Sequence, residues 1–177
     1  MKHGDGAAQE HVRVNPDKLR LFVANVLKAA ELPEPHAETV ATILVEADLR
    51  GVDSHGTTRL SGYIQMLRAG LINPYPKVQV LRETQSTAVL EGDKAFGMVV
   101  AKQAMEMAMA KAENAGIACV TARNITHTGM VGYYPMMAAA RGMIGLAMNN
   151  GPCMVPPYGG TTPVMATNPI SVAFPAG

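Results

Sequence analysis

The chain has 177 residues, enough for one ordinary domain or two small ones, and 48% of them are hydrophobic against 16% charged. That balance suits a packed core and argues against disorder. Lys and Arg number 15 against 14 Asp and Glu, with no Trp, so neither a basic field nor a stacking surface invites nucleic acid. The partners to expect are small molecules or another copy of the chain.

The start, residues 1–15, reads as a short flexible N-terminus. It holds no apolar stretch of signal-peptide length, and no later run reaches the ~18 apolar residues of a membrane span. Those features suggest a soluble, cytoplasmic protein. Residues 16–31 predict a helix with Leu19, Phe22, Val23, Val26 and Leu27 on one stripe, Pro16 in its first turn and Pro33 beyond its end. Residues 35–50 predict a second helix, with Val40, Ile43, Leu44 and Ala47 inward and Gly51 as the stop. A third is expected over 57–69, closed by Gly70.

The character then changes. Asn73-Pro74-Tyr75-Pro76 is a turn or extended link. Residues 77–83 and 86–91 alternate as a strand pair, and Glu91-Gly92-Asp93 reads as a turn. Residues 97–115 predict a long Ala- and Met-rich helix, in which the methionines read as malleable core. Residues 117–124 and 143–150 read as buried strands, with a helix over 131–141 between them whose first turn Pro135 disturbs. Residues 151–169 hold five of the twelve prolines and a Gly-Gly pair and read as an ordered loop. A last strand covers 170–174. Cys119 and Cys153 lie in apolar surroundings without CxxC spacing, and the expectation is buried, reduced thiols. The organisation is a helical part over 16–80 followed by an α/β part over 81–177.

Three segments could carry chemistry. Asp53-Ser54-His55-Gly56-Thr57-Thr58-Arg59 lies between two predicted helices. If the third helix starts near His55, that imidazole and Arg59 share a side. A guanidinium grips a carboxylate with two parallel hydrogen bonds, and an imidazole exchanges a proton near neutral pH. The same residues also read as a helix cap with a solvated Arg. His127, in Arg123-Asn124-Ile125-Thr126-His127-Thr128-Gly129, follows a predicted strand directly, where catalytic side chains often sit; the bland alternative is a loop histidine with satisfied hydrogen bonds. The Asn124-Ile125-Thr126 sequon means nothing in a cytosolic protein. The third segment, Asn149 to Pro169, holds Asn150-Gly151 and Thr167-Asn168. Its glycines and amides allow close approach to a ligand, or serve a structural loop.

Several classes are excluded. There is no GxGxxG, no phosphate-binding GxxxxGK[ST] loop and no GxSxG nucleophile elbow. The five histidines include no i,i+4 pair, so no metal site is supported.

Taken together, ADLRGVDSHGTTRLSGY (47–63), GLINP (70–74), ETQSTAVLEGDKAFG (83–97), RNITHTGMVGYY (123–134) and VPPYGGTTPVMATNPISVAFP (155–175) resemble the malate/L-lactate dehydrogenase family, in its order and spacing. The resemblance implies an α/β fold of non-Rossmann type, helical at the N-terminus and then a largely antiparallel sheet with helices. It implies an oxidoreductase that moves a hydride between NAD or NADP and a 2-keto or 2-hydroxy acid, or a related imine, as a homodimer. By resemblance His127 exchanges the proton, Ser54, His55 and Arg59 hold and orient the substrate carboxylate, and Tyr63 lines the pocket. Asn150 and Gly151 then meet the nicotinamide cofactor beside His127, and Thr167 and Asn168 lie near the substrate. Family members are about twice this length, so the chain corresponds to an N-terminal half. The competing expectation is a catalytically incomplete fragment or an oligomerisation module.

Overall fold

A computed structural model describes residues 13–176. The reading of 1–15 as flexible therefore falls, over 1–12, outside the described residues. Helix α1 spans Pro16–Ala29 because Asn15 caps it: its side-chain oxygen accepts from the backbone N–H groups of Asp17 at 2.9 Å and Lys18 at 3.1 Å. Val23, Ala24 and Leu27 are buried, whereas Phe22, expected on the stripe, is 59% exposed. One residue's step turns a helix by about 100°, so Phe22 and Val23 cannot both face inward on a narrow contact. Helix α2, Glu34–Leu49, starts at Pro33 and buries Ala37, Val40, Ala41, Ile43, Leu44, Val45 and Ala47. Its burial is wider than a single stripe because α1 packs on it from one side and the later helices from the other.

After Gly51, whose φ of +69° favours glycine, the expected third helix does not begin at Thr57. Two short 3-10 turns, Asp53–His55 and Thr57–Arg59, come first, and α3 covers Leu60–Arg68. The polar run Asp53-Ser54-His55-Gly56 has no apolar face to bury, so it coils against the end of α2. Tyr63 and Leu67 anchor α3 to the core.

Strands β1 (Gln79–Glu83) and β2 (Thr87–Ala95) pair antiparallel, and β2 pairs parallel with β3 (Cys119–Ile125) through the crossover helix α4 (Gly97–Ala115). The turn expected at 91–93 is a kink inside β2: its register against β3 shifts between Glu91 and Ala95, where Asp93 and Lys94 take φ of 52° and 56°. Beyond α5 (Tyr133–Ala139), β4 (Gly145–Met148) and β5 (Ile170–Ala173) form a separate antiparallel pair. Two of the three strand pairings are thus antiparallel, and the fold is α/β with helices leading. No helix among the described residues is long and apolar enough to cross a membrane.

One core joins the helical and α/β parts. Val23, Leu27, Ile43, Leu44, Tyr63 and Ile72 pack with Phe96, Met98 and Tyr134, and burying each large side chain stabilises by about 1.5–3 kcal/mol. A smaller cluster of Leu90, Ala95, Val100 and Ala104 lies between β2 and α4. The burial expected of β3 and β4 is not found. β3 mixes part-buried and exposed positions and β4 is buried only at Gly145, and Cys119 and Cys153, expected inside, are exposed. On β4–β5, Leu146, Met148, Ile170 and Val172 share one exposed face, while α5 covers the other.

Gly97 sets the join between core and site. A side chain there would overlap the carbonyl oxygen of Thr126 and crowd the His127 backbone. Gly97→Ala is expected to cost about 1–3 kcal/mol through overpacking, read as a lowered thermal midpoint, because a backbone segment cannot yield as a flexible side chain can.

Candidate active site

His127 sits just beyond the end of β3, on a loop held from several directions. The Thr126 hydroxyl donates to the Ala95 carbonyl at 3.1 Å and receives the Gly97 N–H at 3.3 Å. Buried Thr128 is gripped at two of its polar groups: the Tyr134 hydroxyl donates to its carbonyl, and the Asn149 side-chain amide donates to its hydroxyl at 3.0 Å. The loop therefore has little freedom to swing the imidazole. Tyr134 and Asn149 hold this loop although sequence reasoning gave neither a role. Asn149 opened a quoted segment, but nothing in the sequence pairs it with Thr128.

The two distant segments meet here. The His55 and His127 rings stack with centroids 5.4 Å apart, and the Tyr63 hydroxyl lies 2.7 Å from His127 Nδ1. The Gly129 N–H also donates to Nδ1, at 3.3 Å. A backbone N–H can only donate, so Nδ1 accepts and the neutral ring carries its proton on Nε2. The Ser54 hydroxyl lies 2.9 Å from His55 Nδ1, and Arg59 Nε donates to the Ser54 carbonyl at 2.6 Å. That bond occupies one edge of the guanidinium and leaves its terminal nitrogens for a ligand.

The electrostatics follow from this crowding. Burial first, then the charges of His55 and Arg59, hold the His127 pKa down to about 4. His55 is lowered by burial and by Arg59 in the same way. Burial raises the Tyr63 phenol to about 12, so it remains a neutral hydroxyl able to donate or accept. A linkage prediction results. The unfolded chain binds a proton at His127 near pH 6.5 and the folded chain only near 4, so the unfolded state holds more protons between those values. The contribution of His127 to stability is full above about pH 6.5 and is lost as pH drops towards 4. Thermal midpoints measured across that window should decline, and the decline should be smaller in His127→Gln.

The other predicted residues are not joined to this cluster by any described side-chain contact. Asn150 and Gly151 are exposed just past β4, and Thr167 and Asn168 are exposed before β5, with Asn168 at φ 44°. Their loop closes on itself where the Asn149 N–H meets the Pro169 carbonyl at 3.2 Å and where Val155 bridges Met165. No described side-chain hydrogen bond joins Asn150, Gly151, Thr167 or Asn168 to His55, Arg59 or His127. A groove of about 1180 Å³ runs between α4, β3, α5 and β4. It does not contain His127, but Thr128, Asn149 and Asn150 form part of its wall.

Comparison with known proteins decides the family. The model of the family described as malate/L-lactate dehydrogenase matches residues 14–177. The chain belongs to this family. It is 44% identical to the malate dehydrogenase of Pyrococcus abyssi over 167 residues, 94% of this chain and 46% of that protein. To the ureidoglycolate dehydrogenase (NAD(+)) of Escherichia coli it is 35% identical over 164 residues, 93% of this chain and 47% of that one. The solved malate dehydrogenase of Pyrococcus horikoshii superposes with a TM-score of 0.92 at 43% identity, over 99% of this chain and 50% of that one. The fold is therefore that of the matching half of the malate dehydrogenase, and the chain spans about half the length of the relatives it matches.

Proposed function

We propose that this chain carries the substrate and proton-transfer half of a nicotinamide-dependent dehydrogenase acting on a small 2-hydroxy or 2-keto acid. The observation behind the reading is the convergence of Arg59, His55 and Tyr63, from the 3-10 turns and α3, with His127 on the loop after β3. Arg59 receives the substrate carboxylate on its terminal nitrogens, and Ser54 orients His55 beside it. A carboxylate seated there offsets the positive charge that depresses His127 and makes that imidazole more basic. In the reducing direction the protonated ring then delivers the Nε2 proton to the developing alkoxide oxygen, while the Tyr63 hydroxyl turns to accept from Nδ1–H. In the oxidising direction a neutral ring whose proton has moved to Nδ1 takes that proton back at Nε2, so substrate binding has to shift the ring from the Nε2–H tautomer of the free site.

A bound nicotinamide, of NAD or NADP, supplies or accepts the hydride. The chain offers it a partial fit. Asn150 and Thr128 wall the same groove, and Thr128 adjoins His127, so a planar amide-bearing ring lying at that end would come within one residue of the proton donor. Asn150 and Gly151 would hold it. Thr167 and Asn168, on the loop that closes on β4, complete the substrate side in this reading. The malate and ureidoglycolate named in the relatives share the α-hydroxy acid unit that Arg59 and His127 suit. The working unit is a homodimer and its environment the cytoplasm.

The test is titration of the purified chain with NADH and NADPH by fluorescence, followed by turnover assays with oxaloacetate, pyruvate and cyclic imines. Saturable binding with turnover supports the reading. A second reading, an incomplete catalytic half or an oligomerisation module, is favoured by the exposed apolar face of Leu146, Met148, Ile170 and Val172. It predicts self-association in sedimentation with no turnover.

A further inference from the structure

We propose that Asp48, at the end of α2, is a positioning residue that locks the turn between His55 and Arg59 and so holds both side chains against His127. The proposal takes its functional meaning from the reading of Arg59 and His55 above, but its geometry stands without it. The Asp48 carboxylate accepts the Thr57 N–H on both oxygens, at 3.2 and 3.1 Å, and the Thr57 hydroxyl at 2.7 Å. Thr57 lies midway between His55 and Arg59 in sequence. The remaining bonds of the turn are local to it: the Thr58 hydroxyl donates to the Asp53 carbonyl at 2.6 Å, and Arg59 Nε to that of Ser54. Asp48 is thus where a side chain fastens this polar coil to the rigid helix beneath.

Two further observations favour a dedicated clamp. A carboxylate near a helix C-terminus faces the negative end of the helix dipole, a poor place for it unless specific donors hold it. Thr57 provides those donors. Independently, a side chain at buried Gly56 would overlap Asp48 Oδ1. The residue beside the clamp thus has no room for a Cβ, although its own φ of −90° would admit one. The close approach of carboxylate and turn, not backbone conformation, demands glycine there.

The clamp predicts a sign that a plain charge effect would reverse. Deleting a carboxylate near an imidazole, by charge alone, makes the imidazole less basic. Releasing the turn instead lets His55 into water and away from Arg59, the two causes that now lower it, and makes it more basic. The experiment is an NMR titration of imidazole-labelled, ligand-free chain. In Asp48→Ala and in Gly56→Ala, which changes no charge, the His55 midpoint should rise towards the ordinary value of about 6.5, with loss of the ring-current shift between His55 and His127. Thr57→Val, which keeps the charge and the backbone donor, should give a smaller rise. Asp53→Asn, a charge change on the same loop, should give none.

A His55 midpoint that stays put or falls in folded Asp48→Ala overturns the proposal, as does a lowered thermal midpoint with both imidazoles unmoved. If Asp48→Ala and Gly56→Ala fail to fold, Thr57→Val decides, and an unmoved His55 there overturns it. Because no cofactor or substrate is present, failure of the dehydrogenase reading would appear only in the binding assays and not here.

Discussion

Replacing His127 by Ala is expected to lower turnover by about 10²–10⁴ in an active form of the protein, with the substrate's apparent affinity changing far less. The range is what a positioned acid or base contributes to a proton transfer. It applies here because no neighbour can take over the task. Burial holds Tyr63 at a pKa of about 12, which makes it a poor acid, and Ser54 orients His55 towards the substrate carboxylate beside Arg59 in this reading. The pH profile supplies an internal check. The free protein's His127 lies near 4, so its ionisation should appear low in kcat/KM for the oxidising direction. It should move upward in kcat, once a bound carboxylate has offset Arg59. Turnover unchanged in His127→Ala would remove this imidazole from the mechanism.

Arg59→Lys is expected to raise the substrate KM by about 10- to 100-fold while leaving cofactor binding within about threefold. A hydrogen bond to a charged group contributes about 1.5–3 kcal/mol net, and about 1.4 kcal/mol is a factor of ten. Arg59 spends Nε on the Ser54 carbonyl and keeps two terminal nitrogens for a carboxylate, whereas a lysine ammonium would have to choose between the loop and the ligand. The positive charge survives in Arg59→Lys, so the Coulomb effect on His127 should largely persist and kcat should fall less than KM rises. Steady-state kinetics with fluorescence titration of the cofactor separates the two. Equal losses for substrate and cofactor would count against Arg59 as the carboxylate grip.

Local pattern was enough for much of the architecture. α1, α2 and α4 announce themselves because caps, prolines and an apolar periodicity agree within one segment, as at Asn15-Pro16 and Gly97–Ala115. The motifs around Ser54-His55-Arg59 and His127 were visible for the same reason, as residue types whose chemistry is intelligible in isolation. Glu91-Gly92-Asp93 reads as a turn in sequence, whereas Asp93 and Lys94 only bend β2, because a left-handed backbone looks alike in sequence whether a strand ends there or bends. The 3-10 coil before α3 was hidden as well, since what shapes it is Asp48, nine positions upstream of Thr57.

What the sequence by itself determined is the set of helices, the order of the strands and the presence of guanidinium and imidazole groups whose chemistry suits a carboxylate and a proton, because each depends on a residue and its near neighbours. Only the tertiary structure decided that His55 stacks on His127, that Tyr63 caps Nδ1, and that Thr128 is held between Tyr134 and Asn149. It also decided that Cys119 and the outer face of β4–β5 are exposed. Those contacts join residues far apart along the chain, and an imidazole's pKa or a strand's burial is a property of what surrounds it in space, which no local spacing encodes.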